Sequence, residues 1–420
     1  MIMVNSCVEE NPHKRAKALH DIQHEDEEST AKDPLPPPPQ TRANEVIEII
    51  FGTNDGQNVA RVAPDFTHQL FQDEIIIGIE ATEKPLISVH VDMTDLDHSI
   101  YFSETLSSHD QDRLLSCLSP ALPTAATTTR LCSKEPKPPK SYQPPGQLIH
   151  RFKSSDDDYE IWLATAKDPG AMDLLQRGEC LARWFIETAD SVEFDEERWE
   201  VLFLFQRQRQ QQKDQLEEQE QDSGSVMFAG YMTLFTFRNP FLGSKVRICQ
   251  ALILPHLQGR GLGVEVMLCM YRMVGSRDSV REVTVEDPCA GFQRLRDKAD
   301  YTWYQQHFPT QQPLELEGET KGKGKERPAR TDEEVAEKLR LTKPQAAFVL
   351  EVEQYKYITS NSDGSTDVAR LKQFRLQVKR QLLREDKELK DLPKQALQRE
   401  LDGLFEDRVS RYVSVLHKRK

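Results

Sequence analysis

The stretch that decides the fold runs from residue 245 to residue 288 and reads KVRICQALILPHLQGRGLGVEVMLCMYRMVGSRDSVREVTVEDP. An apolar run of strand character (KVRICQALIL) leads into a glycine-rich turn (QGRGLG). An apolar helix pattern (VEVMLCMYRMV) then leads to a second strand that ends in acids (REVTVEDP). A glycine-rich turn between a strand and a helix directs backbone N–H groups at an anion, beside the positive end of the helix dipole. The stretch therefore predicts a βαβ unit with an anion-binding turn.

Two other phosphate-binding loops fit this turn less well. A P-loop requires Gly-x-x-x-x-Gly-Lys-Ser/Thr, and no Lys-Ser/Thr pair follows the turn. The dinucleotide fingerprint requires Gly-x-Gly-x-x-Gly, but its third glycine falls on Val264 counted from Gly259 and on Val266 counted from Gly261. Glu282 follows at about the distance of a ribose-binding acid, roughly twenty residues, so this alternative stays open. A glycine turn without any ligand stays open as well.

Composition limits the class of protein and its partners. With 420 residues and 37% hydrophobic residues the chain can form two or three domains. Its formal net charge of −14 repels phosphate, so we expect no direct nucleic-acid partner, and the same charge favours a basic partner or substrate. No segment reaches about eighteen apolar residues and the N-terminus lacks an apolar signal region, so we expect neither secretion nor a membrane partner.

The seven cysteines are odd in number and dispersed, and none forms a Cys-x-x-Cys pair. This usage indicates a reducing compartment and neither a disulfide framework nor a zinc or other metal site. Two short basic clusters, KRAK at residues 14–17 and HKRK at 417–420, are of the kind that can serve as nuclear signals.

The composition changes along the chain divide it into five segments. Residues 1–42 are acidic and then proline-rich, which predicts a disordered tail. Residues 43–145 hold short β-rich runs and end in a proline-rich connector, which predicts a smaller N-terminal α/β domain of α+β type. Residues 146–308 carry the βαβ unit, residues 309–330 are a linker rich in Gly, Lys and Glu, and residues 331–420 have a helical pattern.

The segment 146–308 reads as a mixed-sheet core. A strand (YEIWLATA) precedes a helix from roughly Asp173 to Thr188, and the strands EVLFLFQRQ and MFAGYMTLFTF flank a Gln-rich insertion at about 207–224. Together with residues 245–288 the order is β-α-β-β-β-α-β. The predicted fold class is therefore α+β, with a mixed-sheet core, the smaller N-terminal domain and a C-terminal helical module.

Two patterns predict helices in that C-terminal module. Thr331 is followed by three acids, as at a helix N-cap with a negatively charged first turn. Phe374, Val378 and Leu382 recur at intervals of four residues, which is the spacing of one helix face.

The glycine turn also carries a family resemblance. Its order from Gln258 to Gly263 fits the pattern Gln/Arg-x-x-Gly-x-Gly/Ala, which holds the pyrophosphate of acetyl-coenzyme A in the GNAT acetyltransferase superfamily that this segment resembles. Acetyl transfer to an amine requires a polarised carbonyl and a base that removes a proton from the amine. The candidate base is Glu286 at the end of the strand EVTVE, although a solvated strand end carries such an acid equally well.

More specific motifs resemble one family within that superfamily. WFIETA, DEERW, GYMT, ALILPHLQGRGLG, TVEDP and LRD are similar to those of the type B histone acetyltransferase catalytic subunit. FTHQLFQDE upstream and FRLQVKRQL downstream fit the same family, so the similarity runs from about Asn44 to Leu383.

The resemblance implies roles for individual residues. Glu286 would be the general base, with Glu187 and Asp287 as helpers or alternates. The acetyl-coenzyme A contacts would come from a strand, from the turn and from the segment after Glu286, namely Ala251, Leu252, Ile253, Gln258, Gly259, Arg260, Gly261, Leu262, Gly263, Val264, Cys289 and Lys298. Cys289 departs from the polar residue expected at its position. The path of a lysine-rich histone tail would be lined by Asp73, Glu74, Phe235, Thr236 and Phe237, because carboxylates attract lysine and rings pack against it, although strand aromatics also suit an ordinary core.

The resemblance also implies a substrate and a partner. The substrate would be free, newly synthesised core histone, chiefly the tail of histone four, bound in part by the domain at 43–145. The tail lysine would attack acetyl-coenzyme A directly, since Cys249 and Cys269, which could otherwise form an acyl-enzyme, lie in strand and helix interiors and read as core. A WD40-repeat histone-binding chaperone would be the partner, in the cytoplasm and nucleus. Two alternatives remain: a GNAT enzyme for another protein or a small amine, and a non-catalytic scaffold that binds histone or coenzyme A.

Overall fold

The computed structural model describes residues 38–53, 58–80, 84–123, 127–128, 142–207, 225–308, 330–359 and 368–417. Residues 1–37 of the predicted tail, most of the proline-rich connector, the Gln-rich insertion and nearly all of the 309–330 linker lie outside these residues. The described part combines a six-stranded mixed sheet, a five-stranded sheet, a two-stranded ribbon and several C-terminal helices, which confirms the α+β class. None of its helices is both long and apolar enough to cross a membrane.

The N-terminal part contains the five-stranded sheet and the ribbon. Its elements are β1 (Gln40–Arg42), α1 (Ala43–Val46), β2 (Ile47–Gly52), β3 (Asn58–Val62), β4 (Ile75–Ile77), β5 (Ile87–Asp92), β6 (His98–Phe102), α2 (Ser108–Leu118) and β7 (Thr127–Thr128). The sheet has the order β3-β2-β5-β6-β7, and β1 pairs with β4 in the ribbon. The expectation of disorder through residue 42 is therefore wrong for residues 40–42, because β4 pairs with them and the Thr41 hydroxyl donates to the Ile79 carbonyl (2.8 Å).

The mixed sheet forms the centre of the molecule. Its strands are β8 (Gln147–Ser154), β9 (Asp157–Ala164), β10 (Trp199–Arg207), β11 (Val226–Phe237), β12 (Ser244–Ile253) and β13 (Val280–Val285). They lie in the order β13-β12-β11-β10-β9-β8, and only β12 and β13 run parallel. A parallel pair needs a crossover connection, which α4 (Leu262–Gly275) supplies. The predicted βαβ unit is confirmed.

Two further helices flank this sheet, α3 (Ala171–Ala182) after β9 and α5 (Ala290–His307) after β13. The resulting order contains the predicted β-α-β-β-β-α-β succession and adds β8 before it. The helix expected as far as Thr188 ends at Ala182, so its predicted end is wrong. The chain turns there because the buried Trp184 carbonyl accepts hydrogen bonds from the backbone of Asp65 and Phe66, and Thr188 has a φ of 60°, outside the helical region.

The C-terminal helices are α6 (Asp332–Leu339), α7 (Lys343–Thr359), α8 (Val368–Glu385) and α9 (Lys394–Leu416). Three of them, α6, α7 and α9, pack on α5, and α8 packs on α7 and α9. The cap predicted at Thr331 is confirmed, since its side chain and that of Glu334 form a reciprocal capping box. Phe374 and Val378 are buried on one face of α8 and Leu382 is partly buried beside them, as their spacing predicts.

Buried polar pairs fasten these helices to α5. Asp300 accepts hydrogen bonds from Tyr271 of α4 and from Gln345 of α7 (2.6 Å to the latter). One turn earlier, Asp297 receives two hydrogen bonds of 2.9 Å from Arg411 of α9. A buried carboxylate is costly unless it is hydrogen-bonded, so these contacts specify where α5 lies against α4 and the C-terminal helices.

Burial also gives Asp300 a pH-dependent effect on stability. Desolvation raises its pKa from 3.8 to about 6. Between about pH 4 and pH 6 the folded chain therefore holds a proton that the unfolded chain releases, and stability falls as the pH rises through this window. Asp300→Asn stays neutral, so its free energy of unfolding relative to the parent should rise by roughly 3 kcal/mol over the window and stay constant above about pH 7. Urea unfolding of both proteins across this range measures the difference, and a difference that does not change with pH would contradict the prediction.

Candidate functional site

The turn after β12 presents backbone N–H groups at the start of α4. Gly259 and Gly261 have φ angles of 79° and 85°, a left-handed conformation that costs other residues about 1–2 kcal/mol. Gly261 is the N-cap of α4. Its carbonyl accepts hydrogen bonds from the amides of Val264 and Glu265, the first amides of the helix that have an acceptor within it. The amides of the first two helical residues therefore have no acceptor within the helix. A Cβ at Gly261 would meet no atom within 4 Å, so the turn is open beside the N-cap of α4. Unbonded amides at a helix N-terminus favour an anion such as a diphosphate.

Other residues of the turn hold it in place. The Gln258 side chain donates to the Ile253 carbonyl (3.0 Å), and the Arg260 carbonyl accepts from the Ser154 hydroxyl (2.5 Å). The Arg260 guanidinium lies 3.4 Å from Asp157 in the β8–β9 hairpin. Gln258 and Arg260 are both predicted cofactor contacts. Their side chains bond to neighbouring protein groups and thereby hold the turn in its conformation.

Strands β12 and β13 diverge in front of this turn. Their pairing ends with Ile248 opposite Val285, and the Glu286 amide makes the last bond, to the Ile248 carbonyl (2.9 Å). Beyond that point β12 continues to Ile253 and, among the described residues, pairs only with β11. One edge of the β12 backbone is therefore without a strand partner from Cys249 to Ile253 in the part of the chain that the structure describes.

A bulge sets the direction of the exposed amides. Cys249 is an extra residue in β12, because Thr233 pairs with Gln250 whereas Leu234 pairs with Ile248. After the bulge the Leu254 amide donates to Ala229, a residue of β11. Since successive amides alternate between the two edges of a strand, those of Ala251 and Ile253 face the gap that β13 leaves, whereas that of Leu252 faces β11.

Helix α5 closes one side of the turn. A Cβ at Gly263 would lie 2.2 Å from the Leu295 side chain, so glycine permits close contact between α4 and α5 here. Lys298 is three residues further along α5, on the same side of the helix and partly exposed. This position lets its ammonium approach an anion at the turn. Cys289 is the exposed N-cap of α5, and its sulfur accepts from the Phe292 amide (3.5 Å).

The predicted base lies at the edge of the gap. The Glu286 side chain is half exposed (50%), 3.7 Å from the Arg247 guanidinium. Glu286 also lies beside Cys249. Burial, and to a smaller extent the negative charge of Glu286, raise the pKa of the Cys249 thiol to about 12. Cys249 is thus half-buried next to the acid and is not the core residue that the sequence indicated, whereas Cys269 is buried in α4 as expected. Asp287 is exposed in the turn after Glu286.

Glu187 lies in the connection after α3, and the N-terminal acids lie on a segment that contacts this connection; among the described contacts none joins these acids to β12 itself. Glu187 is exposed in the turn after α3, and the carbonyl of Asp190 in that connection accepts a hydrogen bond from Gln250 of β12. The segment that carries Asp73 and Glu74 binds the start of this turn through the Trp184 carbonyl, and the Glu74 carboxylate accepts from the Thr67 amide (3.3 Å).

A row of aromatic rings leads from β10 to Glu286. Trp199 packs against Phe235 (4.8 Å between centroids), Phe235 against Phe237 (4.7 Å), and the Arg247 guanidinium lies 4.6 Å above the Phe237 ring. Thr236 lies on the opposite face of the sheet, because side chains alternate along a strand. Trp199 and Arg247 were not predicted as site residues, although Trp199 ends the DEERW motif and both residues lie in strand-like runs. Cross-strand register brings them to this row.

Comparison with known proteins agrees with the motifs. Residues 40–187 match the family model described as Histone acetyl transferase HAT1 N-terminus. The chain is 27% identical over 300 residues to the histone acetyltransferase type B catalytic subunit of Aspergillus oryzae, a match that covers 62% of this chain and 57% of that protein. The protein of the same name from Rattus norvegicus is 24% identical over 269 residues, 60% of each chain.

A solved structure also matches the chain at low similarity. It is the crystal structure of an aminoglycoside acetyltransferase from an uncultured soil metagenomic sample, in complex with trehalose. The match has a TM-score of 0.23 and 13% identity, and covers 39% of this chain and 97% of that one.

The chain thus spans less than two thirds of the length of each of these two relatives. The family model and both relatives nevertheless carry the name of the same kind of enzyme, a histone acetyltransferase. The resemblance to the type B histone acetyltransferase catalytic subunits that the sequence motifs predicted is therefore confirmed, and residues 40–187 carry the match to the N-terminal family model.

Proposed function

We propose that this chain is an acetyl-coenzyme A-dependent histone acetyltransferase. Its substrate is the lysine side chain of free, newly synthesised histone, chiefly the tail of histone four. The observation that carries the proposal is the divergence of β12 from β13, which exposes backbone amides between the glycine turn and Glu286. Diphosphate, thioester and amine each find a matching group along this one gap.

Different residues along the gap bind the diphosphate, polarise the acetyl carbonyl and remove the proton from the lysine. Acetyl-coenzyme A supplies the activated acetyl thioester. The free amides at the start of α4, with Lys298 beside them, bind its diphosphate. The Ala251 and Ile253 amides face the gap and donate to the acetyl carbonyl, which favours the developing negative charge on its oxygen.

Glu286 accepts the proton that makes the lysine amine nucleophilic. The neutral amine then attacks the acetyl carbon, the N–C bond forms, and the C–S bond breaks to release coenzyme A, whose sulfur takes up the proton that the attacking nitrogen loses. Glu187 and Asp287 are exposed acids on either side of this region and serve as helpers or alternates.

Direct attack fits the cysteines better than an acyl-enzyme. Burial raises the pKa of the Cys249 thiol to about 12 and that of Cys269 to about 11. Both are therefore protonated thiols near neutral pH, whereas a nucleophilic cysteine must be a thiolate. The transfer accordingly takes place in a ternary complex.

The surroundings of the gap suit a cationic peptide. Exposed acids (Asp73, Glu187 and Asp287) attract lysine-rich sequence. The rings of Phe235 and Phe237 already hold the guanidinium groups of Arg198 and Arg247, which shows that their faces suit cations. We propose a WD40-repeat histone chaperone as partner, and the cytoplasm and nucleus as location, on the resemblance to the relatives.

The general-base role predicts the behaviour of Glu286→Gln. An amide cannot take up the lysine proton, so turnover of a histone-four tail peptide should fall about a hundredfold or more. Acetyl-coenzyme A affinity and the thermal unfolding temperature should stay near those of the parent. Steady-state acetylation assays measure the loss.

Glu282→Gln is the matched control, because Glu282 is an acid of the same strand that pairs with Lys245 outside the gap; its rate should remain within about twofold. An unchanged rate for Glu286→Gln would remove Glu286 from the role. Faster acetylation of spermidine than of the histone peptide would instead identify a small-amine enzyme.

The anion-binding turn predicts the behaviour of Gly261→Ala. Alanine is strained at a φ of 85°, and a turn that relaxes this strain carries the α4 amides away from the diphosphate. Calorimetry should show acetyl-coenzyme A affinity about tenfold weaker. Gly170→Ala is the matched control, since Gly170 is the N-cap of α3 with a φ of 79° and equally open surroundings. It should lose similar stability without losing affinity, and an equal loss of affinity in both variants would refute a diphosphate site at the turn.

A further inference from the structure

A cation already occupies the space in front of the proposed base. The Arg247 guanidinium lies 4.6 Å from the centroid of the Phe237 ring and 3.7 Å from a carboxylate oxygen of Glu286. An aromatic face next to a carboxylate is a favourable site for an organic cation, because the ring quadrupole and the negative charge act together.

The ion pair between Arg247 and Glu286 is weak enough for another cation to replace Arg247. At 3.7 Å the two groups form an ion pair without a hydrogen bond. Both side chains are also substantially exposed, 40% for Arg247 and 50% for Glu286, so solvent screens their attraction. Arg247 therefore neutralises the carboxylate while leaving its oxygens able to accept a proton.

A substrate lysine needs the same space. Glu286 can deprotonate an ammonium only within hydrogen-bond reach, about 3 Å. The ring on the approach to Glu286 is that of Phe237, which the guanidinium covers. Two cations at this site repel each other, so an incoming ammonium and the guanidinium compete for one ring and one carboxylate.

We propose that Arg247 is a gate residue, whose guanidinium holds the lysine site between Phe237 and Glu286 until a substrate ammonium takes its place. The proposal rests on the proposed function, and it deepens that function by locating the lysine site and naming the residue that limits access to it. A substrate must bring a cation able to use both the ring and the carboxylate, so apolar or anionic side chains do not displace Arg247.

The first test measures binding without turnover. Calorimetry with saturating coenzyme A and an unacetylated histone-four tail peptide compares the full-length parent with Arg247→Gln. Loss of the competing cation should tighten peptide binding about fivefold, in line with the weak ring and ion-pair contacts that are removed. Arg247→Lys keeps a cation at this position and should stay within about twofold of the parent.

The matched control is Lys245→Gln. Lys245 lies two residues earlier in β12, opposite Phe237, and its ammonium pairs with Glu282 and not with Glu286. This variant therefore removes an equal charge from the same part of β12 without freeing the Glu286 carboxylate. It should leave peptide affinity within about twofold of the parent. Equal tightening in Lys245→Gln and Arg247→Gln would show a general charge effect and overturn the gate.

Steady-state kinetics then separates a gate from a residue that orients Glu286. A gate predicts that the peptide KM falls in Arg247→Gln by a similar factor while kcat changes less than about twofold. A lower kcat at unchanged KM, or peptide binding that is unchanged or weaker, overturns the gate. Peptide binding that tightens in Arg247→Gln without acetylation by the parent would refute the proposed function alone, and no peptide binding by either protein would refute the gate.

Discussion

The parallel pairing of β12 with β13, and its early end, is the constraint on which the rest of the structure depends. Pairing in parallel requires the α4 crossover, and that crossover places the glycine turn at the end of β12. The pairing stops at Ile248 and Val285, one residue before the bulge at Cys249. Because β12 continues beyond this point, its backbone is open on one edge between the turn and Glu286. A β13 that continued alongside β12 would pair with these amides and close the gap.

Segments outside β12 and β13 hold this gap in shape. Helix α5 meets the start of α4 at Gly263 and is itself fastened by Asp297 and Asp300 to the C-terminal helices. On the other side, the Trp184 carbonyl joins the α3–β10 connection to the N-terminal sheet region. Three segments far apart in sequence thereby fix a site whose reacting groups lie on two neighbouring strands.

Prediction from the sequence succeeded for features that depend on the order of neighbouring residues. The glycine turn, the α4 pattern, the capping box at Thr331 and the acid at the end of β13 all depend on local order, and the structure has each of them. Prediction failed where a distant segment decided the outcome: α3 ends early because Asp65 and Phe66 bind the Trp184 carbonyl, and residues 40–42 pair because β4 lies beside them. The sequence indicated a core position for Cys249, because an alternating strand pattern does not reveal the bulge at this residue.

The sequence by itself determined the α+β class, the glycine turn between β12 and α4 and the family resemblance, because backbone conformation and motif identity are properties of short runs of residues. Tertiary structure alone decided that β12 and β13 diverge, that Trp199, Phe235 and Phe237 form one row, and that Arg247 covers the ring beside Glu286. Those facts depend on cross-strand register, which is set by pairing between strands and by the position of a bulge, and neither quantity is local to any one segment.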